Sequence, residues 1–172
     1  MIKFNMFVVF ISLTVCSGCK MNKDSCVEDG SNYTYVDTAG GSYNFYLNKN
    51  KQKIIISGPN VGVSDADEVD VDFTDSDKFF VISHSIALDK NPHKNKKWVF
   101  ENLSCSIIKT FKNRDFTASC NDLKTEHTTT FTYSNKKGIT YMKSSCKDCE
   151  SFYELTLHSR YGLGWACVRG IN

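Results

Sequence analysis

The 172 residues are 41% hydrophobic and 23% charged with only two prolines, a balance that excludes a long Pro-rich disordered chain. A formal net charge of +2 gives no whole-chain electrostatic reason to expect nucleic acid as a partner. The length fits one domain, or one domain plus a leader, with a core large enough to need no structural metal.

In chain order, the first element is a leader. Lys3 precedes an apolar run, Met6 to Val15. This is too short for a bilayer span, which needs about 20 apolar residues, but suits a secretory signal peptide. The following residues, Cys16-Ser17-Gly18-Cys19-Lys20, resemble the signal of bacterial lipoproteins, in which small residues lead into the cysteine that is acylated. Cys16 stands where that motif usually has leucine. The resemblance implies removal of residues 1–18 and a diacylglyceryl plus N-acyl anchor on Cys19. It also implies export, with the periplasmic face of the outer membrane as the address in a Gram-negative cell. The alternative is a plain signal peptide on a secreted protein. Cysteine parity favours the anchor. Cleavage before Cys19 leaves an odd number of cysteines, and acylating Cys19 leaves Cys26, Cys105, Cys120, Cys146, Cys149 and Cys167, enough for three bridges. Residues 19–31 then read as a lipidated tether and 32–172 as a single domain.

Strand signals recur at short spacing through that domain. Tyr33 to Asp37 is a first strand. Tyr43, Phe45 and Leu47 alternate with polar positions, and the chain turns at Asn48–Lys51 to return along Lys53–Ser57. Val69, Val71 and Phe73 alternate with Asp70 and Asp72. Phe79 to Leu88 reads as one long apolar strand, and Trp98 and Phe100 lie on a short one.

Two hairpins follow. A turn at Lys112-Asn113 pairs Phe111 with Arg114, Lys109 with Phe116, Ile107 with Ala118 and Cys105 with Cys120. Directly opposed cysteines at a non-hydrogen-bonded position can be bridged. Lys109 interrupts the otherwise apolar row Cys105, Ile107 and Phe111. In the second hairpin Thr129, Phe131 and Tyr133 lead into Asn135-Lys136-Lys137-Gly138, where glycine supplies a positive φ. Ile139 and Tyr141 follow, with parity placing the aromatic residues on one face. No convincing amphipathic helix appears, Asn121–His127 being the one place with room for a short one; a strand from Phe152 to His158, a turn at Arg160–Gly164 and a last strand from Trp165 to Arg169 complete the pattern. Many short strands with frequent turns predict an all-β fold, an antiparallel sandwich or open barrel with disulfides.

Chemistry candidates are sparse. Cys146-Lys147-Asp148-Cys149 lacks the βα context of a redox dithiol and the second close pair of a zinc site, so structural bridges are expected. Pairing among Cys26, Cys146, Cys149 and Cys167 stays open. Asp65, Asp67, Glu68, Asp70, Asp72, Asp75 and Asp77 read as a strand with one wet face rather than a calcium loop, because Val69 and Asp70 break the EF-hand pattern. Lys90, Lys94, Lys96 and Lys97 form a basic loop around Pro92 and His93. His84 shares the parity of Phe80, Ile82, Ile86 and Leu88 and reads as a core histidine. The expected function is a non-enzymatic envelope module that binds another envelope protein, with Lys94, Lys96, Lys97 and Trp98 as the contact region and no cofactor or metal. The alternatives are an enzyme assembled from scattered residues, headed by His84, His158 and Asp148, and a barrel that carries a small apolar ligand.

Overall fold

The computed structural model describes residues 26, 30–59, 68–92, 96–146, 153–165 and 167–168. Among the described residues twelve strands make up the regular structure: β1 (Asn32–Asp37), β2 (Ser42–Asn48), β3 (Lys53–Ser57), β4 (Glu68–Asp75), β5 (Phe79–Ile82), β6 (Ile86–Asp89), β7 (Lys97–Phe100), β8 (Leu103–Thr110), β9 (Phe116–Asp122), β10 (Thr128–Ser134), β11 (Gly138–Ser145) and β12 (Tyr153–Leu157). All pairings are antiparallel, in the order β6-β5-β4-β3-β2-β1-β12-β11-β10-β9-β8-β7. Two six-strand meanders therefore meet where β1 pairs with β12, and the sheet curls into a nearly closed barrel with β6 and β7 as its edges.

The two-residue side-chain period decides what fills the interior. Thr129, Phe131 and Tyr133 on β10 point inward, as do Phe116, Ala118 and Cys120 on β9 and Phe45 and Leu47 on β2. Phe116 stacks on Tyr133 with ring centroids 5.5 Å apart, and Tyr35 meets Phe45 edge-on at 5.0 Å. Each such buried side chain contributes roughly 1.5–3 kcal/mol of burial free energy.

The seam between β6 and β7 is closed by side chains. The Trp98 indole N–H donates to the Ala87 carbonyl at 2.8 Å, bridging β7 to β6. Phe79 on β5 meets Phe100 on β7 edge-on at 5.5 Å. All four residues of β6 are buried, so the indole supplies a partner to a carbonyl that lies beyond water.

One end of the barrel is plugged by the chain beyond β12. Gly162, Leu163 and Gly164 are buried there. The Tyr35 hydroxyl accepts from the Leu163 N–H at 3.0 Å and donates to the Ile139 carbonyl at 2.8 Å. The Tyr133 hydroxyl donates to the Gly164 carbonyl and accepts from the Val168 N–H. Burial pushes the Tyr133 hydroxyl up to about 12 and raises that of Tyr35 further. Gly138 has φ +84°, and a Cβ there would lie 2.7 Å from the Gly162 carbonyl oxygen, so both conformation and space demand glycine. Cys167 in the plug is bridged to Cys26, Cα to Cα 4.6 Å, which pins the amino-terminal side of the domain to the same end. The Cys26 N–H donates to Asp75, whose other carboxylate oxygen pairs with Lys90 Nζ at 2.6 Å.

The first β8–β9 expectation is met where it matters. Cys105 opposes Cys120 and is bridged to it, with Cα atoms 4.0 Å apart. The Ile107 N–H donates to the Lys96 carbonyl, so Cys105 directs its backbone groups to β7 and meets Cys120 at a non-hydrogen-bonded position. The rest of that register differs. The loop is one residue longer, closing with Phe111 N–H to the Asp115 carbonyl and with Arg114 at φ 66°. A bulge between Ile107 and Lys109 absorbs the extra residue, so Lys109 opposes Thr117 and Phe116 opposes Thr110.

Other expectations are corrected. Phe79–Leu88 is a hairpin, β5 and β6, bent at Ser83-His84-Ser85 with Ser83 at φ 45°. A single strand would leave half of its apolar residues wet, whereas the fold-back buries both arms. His84 therefore sits exposed on a turn, not in the core. Asn121–His127 is not helical, because β9 continues to Asp122 and the Asp122 carboxylate caps the turn through the Lys124 N–H. A bulge between β10 and β11 sends Tyr141 outward to Glu154 and brings Met142 into the core. Trp165, Cys167 and Val168 belong to the plug and to no strand.

Candidate functional site

The candidate contact surface is the outer face of β7 and β8, beside the seam. Strand parity on β7 sends Trp98 and Phe100 inward and Lys97 and Val99 outward. Trp98 is only 6% exposed and bonded to Ala87, so it is removed from the expected contact region: its ring seals the barrel. Lys96 and Lys97 are exposed as expected, and Lys94 lies outside the described residues. Lys90 departs from the basic loop altogether. It is fully buried, and its ammonium is held by Asp75.

Apolar residues take the place of the tryptophan. Val99 is 62% exposed and Ile108 is 60% exposed. Alternation with Cys105 sends Ile108 outward, and the bulge between Ile107 and Lys109 turns Lys109 outward as well. Lys109 Nζ then lies 5.0 Å over the Phe111 ring, which is itself exposed. The face therefore combines Lys96, Lys97 and Lys109 with Val99, Ile108 and Phe111. Parity with Trp98 and Cys105 would have exposed Val99 and Ile108 to sequence reasoning; the bulge that turns Lys109 outward has no sequence signature.

The acidic strand β4 is on the opposite meander. Asp70 and Asp72 are exposed, as a wet face requires, with Asp72 paired to Lys53 across the β3–β4 ladder. Asp75 turns to the buried Lys90 instead. Asp65 and Asp67 lie outside the described residues, and those described form no group able to hold a metal ion.

The barrel end opposite the plug carries a polar cluster. Tyr153 leaves part of its ring exposed while its hydroxyl end is buried, which raises its pKa against the opposing hydrogen bonds from Thr129, Ser144 and Ser85. Thr129 and Ser144 are buried, so these hydroxyls satisfy one another inside the barrel. Nearby, the Lys124 N–H, the Thr125 groups and the His84 charge hold the Asp122 carboxyl below the usual range. His158, by contrast, follows the far end of β12 and donates its backbone N–H to Thr34. Five strand residues put it roughly 17 Å from the Tyr153–Ser85 contact beside His84. The two histidines are not brought together, and Asp148 lies outside the described residues.

Of the remaining cysteines, Cys146 is disulfide-bonded, and the other four described cysteines are paired with one another. Its partner thus lies outside the described residues, as do Cys19 and Cys149. The Cys26–Cys167 bridge resolves part of the pairing that the sequence left open. No protein-family model matches the chain, and no curated protein or solved structure matches it.

Proposed function

We propose that the chain is exported, held in the cell envelope by an acyl anchor on Cys19, and acts as a non-enzymatic module that binds another envelope protein. The observation that carries this reading is the pairing of a filled interior with an exposed, lysine-flanked apolar face. The largest fully buried side chains, among them Tyr35, Phe80, Phe116, Phe131 and Tyr133, occupy the space in which a barrel carrier would hold its ligand. Recognition then falls to the outside, where Val99 and Ile108 lie among cations. Apolar groups flanked by charge suit a protein partner of acidic character, with the charges setting encounter rate and salt dependence. The disulfides are compatible with an oxidising, exported location.

Two measurements test the reading. Intact mass of the membrane-extracted protein, with and without reductant, should give a chain starting at Cys19 with acyl chains and three bridges. An uncleaved, reduced polypeptide in the cytosol would overturn it. Crosslinking in intact envelopes should recover one stoichiometric partner whose yield falls as salt rises; no partner at low salt would remove the binding role.

A further inference from the structure

We infer that the edge of β7, which no other described strand pairs with on that side, accepts an extended, acidic segment of the partner as an added strand. This rests on the protein-binding reading above and specifies the chemistry of its site. The phase of the β7–β8 ladder is fixed by the Ile107 N–H donating to the Lys96 carbonyl. Lys96, Trp98 and Phe100 therefore turn their backbone groups toward β8, and Lys97 and Val99 turn theirs away from it. Across the seam, β6 does not use them, since the β6–β7 link runs through the Trp98 indole and the Ala87 carbonyl. The edge presents two N–H and two C=O groups in strand geometry, held rigid because Trp98 is locked in the core. An incoming strand could complete that ladder, with main-chain bonds giving affinity and alternate side chains giving selectivity.

The exposed side chains choose the occupant. Lys97 and Val99 stand on the same outer face, with Lys96 beside them and Ile108 on the neighbouring strand. A matching strand carries a carboxylate opposite Lys97 and an apolar residue opposite Val99. A second copy of this chain is disfavoured. Pairing two β7 strands about Trp98 sets each Lys97 diagonal to its counterpart, within cross-strand reach. Edge lysines discourage such self-pairing, and the charges that repel a second copy attract an acidic strand.

The test uses the full mature protein in detergent and a labelled ten-residue peptide with alternating Glu and Val on one face and Thr on the other. Its binding is followed by fluorescence anisotropy. Saturable binding is expected, weakened about tenfold or more by Val99→Pro, since the edge N–H is lost while no ladder bond to β8 is touched. Lys97→Glu keeps the backbone and should shift preference to the Lys/Val version of the peptide, which serves if Val99→Pro does not fold. Wild-type affinity in Val99→Pro, no saturation at about millimolar peptide, or a wild-type dimer dispersed by Val99→Pro would each overturn the inference. The envelope crosslink separates the two levels. A partner recovered equally by wild type and Val99→Pro removes the edge but leaves the binding role, whereas no partner with wild type removes the binding role itself.

Discussion

Trp98→Phe should open the barrel at its seam. The substitution keeps an aromatic ring in the core but deletes the N–H that donates to the Ala87 carbonyl at 2.8 Å. Ala87 is fully buried, so water has no ready route to that oxygen. Orphaning a buried acceptor costs about 1–3 kcal/mol, and the smaller ring adds roughly 1 kcal/mol of lost packing. The sum, about 2–4 kcal/mol, corresponds to a fall in Tm of roughly 5–15 °C for a chain of this size. Urea and thermal melts of the oxidised protein would measure it. Native-state hydrogen exchange should locate the loss in β5, β6 and β7, because these strands depend on the seam. Val99→Ala, one residue away and facing solvent, should change stability by no more than about 0.5 kcal/mol. A Trp98→Phe loss below about 0.5 kcal/mol with unaltered exchange in β6 would refute the idea that the indole closes the sheet.

Three further outcomes follow from buried features. Asp75→Asn removes the carboxylate that pairs with the buried Lys90 ammonium and should cost about 3–5 kcal/mol in urea melts, whereas Lys90→Met with Asp75→Asn should recover much of that loss. The two described bridges close spans of 141 and 15 residues, so removing Cys26–Cys167 by paired serine substitutions should cost about 5 kcal/mol against about 3 for Cys105–Cys120, read from urea midpoints. Tyr133 holds its proton more tightly folded, at about 12, than unfolded, so its contribution is intact below pH 10 and is lost as pH rises to 12. The protein should lose roughly 3 kcal/mol over that window from this group, with tyrosinate absorbance showing it to ionise at higher pH than the exposed tyrosines. Ionisation of all tyrosines near pH 10 in a folded chain would contradict the burial.

Period-two alternation made the strands legible in sequence, and with them the all-β class and the Cys105–Cys120 bridge. That bridge shows how a register can be read correctly at one place and not along its length. The three-residue loop Lys112–Arg114 and the bulge at Ile108 each shift pairing by one, and they cancel before the cysteines are reached. Neither leaves a composition signal, since a non-glycine residue, Arg114, takes the positive φ. The same blindness hid the fold-back at Ser83–Ser85, where no glycine, proline or asparagine marks the turn. Trp98 and Lys90 were misplaced for a different reason. Local sequence shows a loop rich in lysine, but Asp75 and Ala87, which draw these two side chains inward, become neighbours only when the barrel closes. Val99 and Ile108 were the residues that alternation alone could have exposed.

On the proposed anchor, the barrel stands on its plugged end. Cys26 lies seven positions after Cys19, a separation of at most about 25 Å. Cys26 is fastened at the plug by Cys167 and Asp75, so an acyl chain on Cys19 would hold that end toward the bilayer. The turn bearing Lys136 and Lys137 lies there, since Trp165 donates to the Lys136 carbonyl. Lys124 lies at the other end of the β9–β10 pair, a strand length of roughly 20 Å away. In vesicles, a bulky amine reagent should therefore modify Lys136 and Lys137 more slowly than in detergent, and Lys124 at the same rate in both. Strand β7 runs away from the plugged end, with Lys97 level with Thr130, three register rows from the plug contact at Tyr133, so a partner tethered to the same membrane would meet the cationic end of the edge first. Equal rates at all three lysines in vesicles and detergent would mean that the barrel tumbles freely on its tether, and the edge would then have no preferred approach.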